Sequence, residues 1–202
     1  MGRDMIYDSW TCDLLVGASA SQVYRLNLDR GQFMAPFDTE SDAINCVRFS
    51  ALHGLYGFAG DNGTLEFWDR RDRSRLGIIS METLASAQQV PLNGVAEHAS
   101  LELTSLLFLP DGLHFASGTS DGRVLLFDLR KQSEPLLVRD HFNGFAIKKI
   151  DYHASSGCLV SSDSRSIKFW HVNSTGSTAC PPGTLFTTIE SEADINEFCL
   201  RS

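Results

Sequence analysis

Six histidines are the first side chains to consider for metal or acid–base chemistry. They are His53, His98, His114, His141, His153 and His171. None lies in an H-E-x-x-H arrangement or another ligand spacing, so the pattern does not indicate a zinc hydrolase. We expect His141 to be structural, because it precedes a predicted strand and can hydrogen-bond to the aspartate of a tight turn. Asp121 and Asp163 are the candidate turn aspartates, and no repeat displays a complete set of histidine, serine, tryptophan and aspartate.

Motifs for nucleophilic attack and phosphate binding are missing from the sequence. There is no G-x-S-x-G, and residues 17–21 lack its second glycine. Neither a phosphate loop nor a dinucleotide-binding turn is present. Carboxylates cluster at 38–42 and 190–194, but a calcium loop would need glycine where Ala43 stands, so we expect solvated connections. The sequence predicts no catalytic residue, no cofactor, no metal site and no enzyme.

One dense basic run follows a predicted strand and should occupy a surface turn. It contains Arg70, Arg71, Arg73 and Arg75. Because arginine pairs well with phosphate, contact with RNA is one interpretation of this run. The alternative is pairing with Asp69 and Asp72 in the same turn. These four arginines and Arg130 are the candidate interaction residues.

Composition and charge exclude several classes of protein. Apolar residues make up 43% of the 202 residues and charged residues 21%, which favours a folded chain. The net charge of −8 argues against a broad basic face for a phosphate backbone. The five cysteines are odd in number and form no C-x-x-C pair, which indicates a reducing cytosolic or nuclear compartment. No stretch approaches eighteen uncharged apolar residues, and the N-terminus has no signal-peptide core.

Internal repetition organises the rest of the chain. Four segments share a short apolar run, small residues, a turn of Asx, Gly or Ser, and an alternating strand with an aromatic residue. These repeat aromatics are Tyr24, Trp68, Phe127 and Trp170, with spacings of 44, 59 and 43 residues. Two spacings match the roughly 40–45 residues of a WD repeat, and a loop insertion at about 80–102, with a short helix, explains the third.

The repeat predicts an all-β fold, a partial WD40-type β-propeller of about four blades. A β-sandwich is the alternative, but it gives no reason for an aromatic residue at a fixed step after each turn. The predicted blades cover approximately 1–36, 37–80, 101–140 and 141–190. A final strand at 195–200 would start a further blade at 194–202. We therefore expect the chain to be a segment of a longer propeller.

Several motifs, in order along nearly the whole chain, resemble the nucleolar protein 10 family, called essential nuclear protein 2 in yeast. They include W-D-R-R-D-R-S-R-L-G at 68–77, G-R-V-L-L-F-D-L-R at 122–130 and E-A-D-I-N-E at 192–197. The chain departs from the family in lacking its earlier blades, its closing blade and its basic, helical C-terminal region. The insertion near 80–102 is also longer than expected.

The resemblance implies a nucleolar scaffold of the small-subunit processome, which supports maturation of small-subunit rRNA. Its partners would be other processome proteins, and contact with pre-rRNA or small nucleolar RNA would lie mainly outside this segment. No membrane and no small-molecule substrate is expected. The alternative is a substrate receptor of a cullin-4 ubiquitin ligase, because W/F-D-x-R occurs at 68–71 and 127–130. In that case Arg71 and Arg130 would contact the ligase adaptor.

Overall fold

The computed structural model describes residues 1–86, 101–172 and 184–200, and strands dominate these ranges. Sixteen strands form four antiparallel sheets of four strands each, and within every sheet the strands follow chain order. Each sheet is one blade. The predicted all-β propeller is confirmed, and the four sheets span 2–38, 44–80, 103–140 and 149–190. The limits of the domain beyond these sheets stay a prediction.

The strands of the first two blades are β1 (Gly2–Asp8), β2 (Asp13–Ala18), β3 (Gln22–Asn27), β4 (Gln32–Asp38), β5 (Ile44–Ser50), β6 (Leu55–Gly60), β7 (Thr64–Asp69) and β8 (Arg75–Ser80). Those of blades 3 and 4 are β9 (Leu103–Phe108), β10 (His114–Thr119), β11 (Arg123–Asp128), β12 (Leu137–Asp140), β13 (Lys149–His153), β14 (Cys158–Ser162), β15 (Ser166–His171) and β16 (Leu185–Glu190).

The hydrophobic core lies between the blades rather than inside any one of them. The first strands of successive blades, β1, β5, β9 and β13, run beside one another. Three apolar clusters fill the spaces between neighbouring sheets, with Phe58 between blades 1 and 2, Phe115 between blades 2 and 3, and Ile147 between blades 3 and 4. Because each blade buries its faces against its neighbours, the blades stabilise one another.

A polar contact recurs where one innermost strand meets the next. Asn45 Nδ2 donates to the carbonyl of Leu103 at 2.9 Å, and Thr104 Oγ1 donates to the carbonyl of Ile147 at 2.6 Å. Lys148 Nζ continues the series by donating to the carbonyl of Ile195 at 2.7 Å. The second residue of each innermost segment therefore ties its blade to the segment that follows.

The residues at 195–200 form no strand, which corrects the strand predicted there. They lie against β13, where Lys149 Nζ reaches the carbonyl of Phe198 at 2.7 Å and lies 5.1 Å from the centre of its ring. The innermost strand of a further blade would occupy this position, beside the innermost strand of blade 4. A strand requires a ladder of hydrogen bonds to a partner. In the described part of the chain, the main-chain amide of Ile195 donates a hydrogen bond to the carbonyl of Ser164 rather than to β13.

The predicted insertion begins with a short helix, α1 (Met81–Ser86), directly after β8. Met81 and Leu84 are buried in the cluster between blades 2 and 3, so the helix caps that cluster. The rest of the insertion, at 87–100, lies outside the described residues. No helix in the ranges described has the length and apolar character that crossing a membrane requires.

The register places three of the four repeat aromatics at one position of the third strand. Trp68, Phe127 and Trp170 each pair with the equivalent residue of the second strand and face the preceding blade. In blade 1 this position belongs to Leu26, which pairs with Leu14. Tyr24 lies two residues earlier on β3 and is 40% exposed. The periodicity thus survives in blade 1 with leucine in place of the aromatic residue.

Candidate interaction surface

A hydrogen-bonded chain of four buried side chains lies inside blade 4. His141 Nδ1 lies 3.0 Å from Asp163 Oδ2, His141 Nε2 lies 2.7 Å from Ser161 Oγ, and Trp170 Nε1 donates to Ser161 Oγ at 2.8 Å. The set of histidine, serine, tryptophan and aspartate is therefore complete in this repeat, which corrects the prediction that none would be. Sequence order concealed it, because His141 precedes its blade by eight residues.

The same residue types build the triad of many hydrolases, but this arrangement is closed to substrate. His141 is 1% exposed, and Ser161 and Asp163 are 0% exposed. Asp163 can only accept a hydrogen bond when ionised, so His141 Nδ1 donates to it and Nε2 accepts from the hydroxyl of Ser161. The serine oxygen in turn accepts the indole proton of Trp170. Every polar atom is used internally, and the network locks the blade as expected for His141.

Electrostatics agree with a neutral histidine beside an ionised aspartate. Burial lowers the pKa of His141 below its ordinary value, although the hydrogen bond to Asp163 opposes this. Burial alone would raise the pKa of Asp163. Hydrogen bonds from the main-chain amides of Arg165 and Ser166, and from His141, nevertheless lower it. Lys168 Nζ donates to the carbonyl of His141 at 2.8 Å, which places a positive charge beside the ring.

The other candidate ligands are dispersed over the molecule. His53 contacts the carbonyl of Gly112, His114 contacts Asp111, and His153 contacts Ser156, each at a separate turn. His98 lies outside the described residues. Within the described ranges, no three residues among histidine, cysteine, aspartate and glutamate converge to hold a metal ion.

The predicted basic run divides into three different environments. Arg75 forms ion pairs with Glu40 at 2.5 Å and with the buried Glu66 at 3.6 Å, so blade 2 uses it internally. Arg71 and Arg73 are exposed in the turn between β7 and β8. That turn is closed by Asp69, whose pKa is lowered by hydrogen bonds from the main-chain amides of Asp72 and Arg71. Arg75 is thus paired, but with Glu40 and Glu66 rather than with Asp69 or Asp72, and contact of the run with RNA stays a prediction.

Arg70 contacts two aromatic rings and a carboxylate, and so it supports Trp10 rather than offering its charge to a ligand. Its guanidinium lies 5.2 Å from the ring centre of Trp10 and 5.4 Å from that of Phe49, and 3.8 Å from the carboxylate of Asp8. Asp8 is buried and also accepts hydrogen bonds from the main chain of Trp10 at 3.0 Å and from the hydroxyl of Tyr56 at 2.7 Å. These contacts fix the position of Trp10 at the seam between blades 1 and 2.

A hollow of about 520 Å³ opens beside this support. We name it the arginine cradle, and its lining consists of Trp10, Thr11, Arg25, Met34, Ala35, Arg70, Arg71 and Arg73. The lining contains four guanidinium groups and no carboxylate. A second hollow of about 450 Å³ also borders Arg70, but Asp8 and Asp69 contribute to it. The cradle is therefore a local positive, partly apolar concavity on an acidic chain.

Two cations of the cradle are available to a ligand. Arg25 is held by the buried carboxylate of Asp13 at 2.6 Å, and Arg70 is held by the contacts above. The guanidinium of Arg73 donates a long hydrogen bond, 3.4 Å, to the carbonyl of Ala35. Arg71 is exposed in the turn and interacts electrostatically with Asp69, while the recognised ion pair of this turn with Asp8 is made by Arg70 instead.

The basic run in the sequence contains three members of the cradle, Arg70, Arg71 and Arg73, but gives no sign of its aromatic member. Trp10 stands in the turn between β1 and β2, far from the basic run in sequence, and 79% of it is exposed. The available signal was a large aromatic residue in a short polar turn, where burial is not expected. Arg130 lies in the equivalent turn of blade 3, where it pairs with Asp128 at 2.5 Å, away from the cradle.

Comparison with known proteins places the chain among relatives of one kind. A family described as "Nucleolar protein 10-like, N-terminal domain" matches residues 1–202. Nucleolar protein 10 of Homo sapiens is 36% identical over 199 residues, which are 98% of this chain and 27% of the relative. The ribosome biogenesis protein ENP2 of Saccharomyces cerevisiae is 34% identical, over 97% of this chain and 25% of the relative. The chain therefore spans about a quarter of the length of these relatives.

A solved structure supports the fold independently. A chain in the structure titled "Crystal Structure of Mitotic Checkpoint Complex" superposes with a TM-score of 0.73 over 96% of this chain and 52% of that chain. Its sequence identity is 18%, so the likeness concerns the fold alone.

Proposed function

Because the chain belongs to the nucleolar protein 10-like family, we propose that it serves as a rigid docking platform in ribosome biogenesis. More specifically, we propose that the protein is a scaffold of the small-subunit processome. It would act in the nucleus and nucleolus to support maturation of small-subunit rRNA. Its binding partners in this proposal are other processome proteins. The observation that carries the proposal is the match of the family to residues 1–202.

The geometry supports a passive role. The buried polar groups of blade 4 form hydrogen bonds with one another, and the apolar side chains pack between blades. A surface made of sheets locked in this way presents side chains at fixed distances, which lowers the entropy lost when a partner binds. The names of the relatives describe ribosome biogenesis and a nucleolar protein rather than an enzyme.

The ligase alternative receives no support from these comparisons. Its two tetrapeptides exist, but their arginines differ in availability. Arg130 Nε and Nη2 both donate to Asp128 within its own turn, whereas Arg71 faces the cradle. An aspartate and arginine that pair locally explain the F-D-x-R pattern in blade 3 without any adaptor.

Affinity purification of the tagged full-length protein from nuclear extract at moderate salt tests the proposal. We expect recovery of ribosome-assembly proteins together with precursors of small-subunit rRNA. Recovery of a cullin-4 adaptor without those components would contradict it and favour the ligase.

Arg130→Gln provides a matched control for that experiment. The substitution breaks the F-D-x-R pattern, yet Arg130 lies outside the cradle and 68% of its side chain is exposed, so the blade should remain folded. A scaffold retains its nucleolar location and its assembly partners in this variant. A ligase receptor binds its adaptor more weakly, because one of its two W/F-D-x-R motifs is lost.

A further inference from the structure

We propose that the arginine cradle binds single-stranded RNA, with one base stacked on Trp10 and the adjoining phosphates paired with Arg71 and Arg73. The proposal deepens the platform function, and it rests on that function for the choice of RNA over single-stranded DNA. It places an RNA contact inside this segment, whereas the sequence led us to expect such contact mainly elsewhere.

Charge is the first argument for this ligand. The chain carries a net charge of −8, but the lining of the cradle contains four arginines and no acidic residue. Arg71 and Arg73 are exposed. Asp69 of the same turn attracts Arg71 electrostatically, but the salt bridges of the neighbouring arginines, Arg70 with Asp8 and Arg75 with Glu40, do not include either side chain. A guanidinium presents donors in a fork that matches the oxygens of a phosphate. The site therefore suits an anion, with two exposed cations to pair with it.

The exposed ring of Trp10 is the second argument. Trp10 is 79% exposed. Its main-chain amide is nevertheless fixed by Asp8, and the guanidinium of Arg70 lies 5.2 Å from the centre of its ring. A ring that is held in place and left open to solvent is prepared to stack on a flat partner without further ordering. Stacking of a base on such a ring changes affinity by roughly 5- to 150-fold per base.

The combination favours a single nucleic acid strand over other anions. An acidic peptide could pair with Arg71 and Arg73, but its carboxylates offer no flat face to Trp10. In a duplex the faces of the bases are stacked on one another and are not available. A strand with free bases satisfies both the cations and the ring, and the hollow of about 520 Å³ is large enough for a nucleotide.

Fluorescence anisotropy of a labelled RNA tests this inference on the purified chain. The probe is an unstructured RNA of about 12 nucleotides, within the range that one such site covers. We expect saturable binding at low salt, weaker binding to the same sequence as a duplex, and quenching of tryptophan fluorescence. The same strand as DNA shows whether the 2′-hydroxyl contributes.

Three variants locate the site. Trp10→Ala should weaken binding by roughly tenfold, whereas Trp10→Phe should retain most of it because a ring remains. Arg71→Gln should weaken binding and reduce the slope of log affinity against log salt by about 0.7, as expected when one phosphate contact is lost. Arg130→Gln is the matched control, since it removes the same charge from the equivalent turn of blade 3, and it should leave binding unchanged.

Three outcomes would overturn the inference. One is unchanged binding by Trp10→Ala, and another is an equal loss in Arg71→Gln and Arg130→Gln, which would indicate diffuse attraction. The third is displacement of the RNA by an acidic peptide at lower concentration than by unlabelled RNA, which would identify a protein-binding site.

If the chain fails to bind RNA but still copurifies with assembly factors, only this inference fails. If it binds RNA but copurifies with none of them, the proposed function fails instead.

Discussion

His141 shows how surroundings decide what a residue does. Its neighbours Ser161 and Asp163 are of the types that perform acyl transfer in hydrolases, at similar hydrogen-bond distances. Here the serine oxygen accepts the indole proton of Trp170, and no substrate can reach it. A set of residue types becomes a reactive centre only when it faces a cleft, so at the residue scale this network stabilises the blade.

Removal of His141 should destabilise the chain strongly. His141→Ala leaves Ser161 and Asp163 buried without their partner, and we expect a loss of about 3 kcal/mol in the free energy of unfolding. Urea denaturation followed by circular dichroism measures it. His153→Ala, which removes the partly exposed histidine at the end of β13 in the same blade, should cost no more than about 0.5 kcal/mol. Equal losses would show that the network contributes nothing special.

The same histidine predicts a pH dependence of stability. Burial lowers its pKa in the folded chain, so the unfolded chain takes up a proton at higher pH and protonation favours unfolding. Its contribution is complete above the ordinary histidine pKa of about 6.5 and declines as the pH falls towards the lowered value. The groups facing it are Asp163, Lys168 and Asp140, and the pKa of Asp163 is lowered, so that residue stays ionised in this range.

Urea denaturation at about pH 7.5 and at about pH 5.5 checks this dependence. The stability difference between the natural chain and His141→Gln should narrow at the lower pH. A constant gap for His141→Gln would contradict a neutral, buried histidine.

Individual residues were predictable from sequence to an uneven degree. The structural role of His141 followed from its position before a strand, and its bond to a turn aspartate was predicted with Asp121 and Asp163 both as candidates. The completeness of its network did not, because Ser161 and Trp170 are ordinary strand residues until the register brings them together. Trp10 was missed for a related reason, since its partner Arg70 is distant in sequence and belongs to the next blade.

At the scale of elements, tight turns determine how the strands are joined. Gly122 connects β10 to β11 with a φ of +90°, a conformation that residues with a Cβ rarely adopt. A Cβ at this position would lie 2.9 Å from the carbonyl oxygen of Phe145, in the segment that leads to blade 4. The turn therefore contacts the connection to the following blade directly, and only glycine leaves room for it.

Gly122→Ala should accordingly cost about 3 kcal/mol of unfolding free energy, from backbone strain and from the clash with Phe145. Gly31→Ala is the matched control, because Gly31 has a φ of +62° and no neighbouring atom within 4 Å of the added Cβ. Strain alone should cost that variant about 1 kcal/mol. Thermal and urea denaturation of both variants measure the difference, and equal costs would contradict the contact.

The elements themselves were largely predictable, because strand alternation and turn residues are local signals. The errors occurred where a strand depends on a partner. Residues at 195–200 have the apolar alternation of an innermost strand but lie beside β13 without a ladder of their own. In blade 1 an aromatic residue at Tyr24 suggested the repeat position, while the register assigns that position to Leu26.

For the whole molecule, the important feature is that blade faces are apolar even where no blade covers them. On the open side of blade 1, cross-strand partners place Met5, Tyr7, Leu14, Tyr24 and Phe33 on one face. Phe33 is 74% exposed and Met5 is 65% exposed. A contiguous apolar face of this kind favours association with another surface.

The isolated chain should therefore self-associate as its concentration rises. Phe33→Lys and Met5→Lys together place two charges on the open face and should shift the chain towards monomer in sedimentation velocity. Leu136→Lys is the control, because Leu136 is exposed on blade 3, away from that face, and should have no such effect. A chain that stays monomeric at all concentrations, or one that responds equally to the control, would contradict this role of the face.

The most direct test of the platform is sedimentation of the tagged full-length protein in a gradient of nuclear extract. A ribosome-assembly scaffold is predicted to migrate with large particles that contain precursors of small-subunit rRNA, and to leave them when blade 4 is disrupted by His141→Ala. Migration in light fractions free of those precursors would contradict the proposed function.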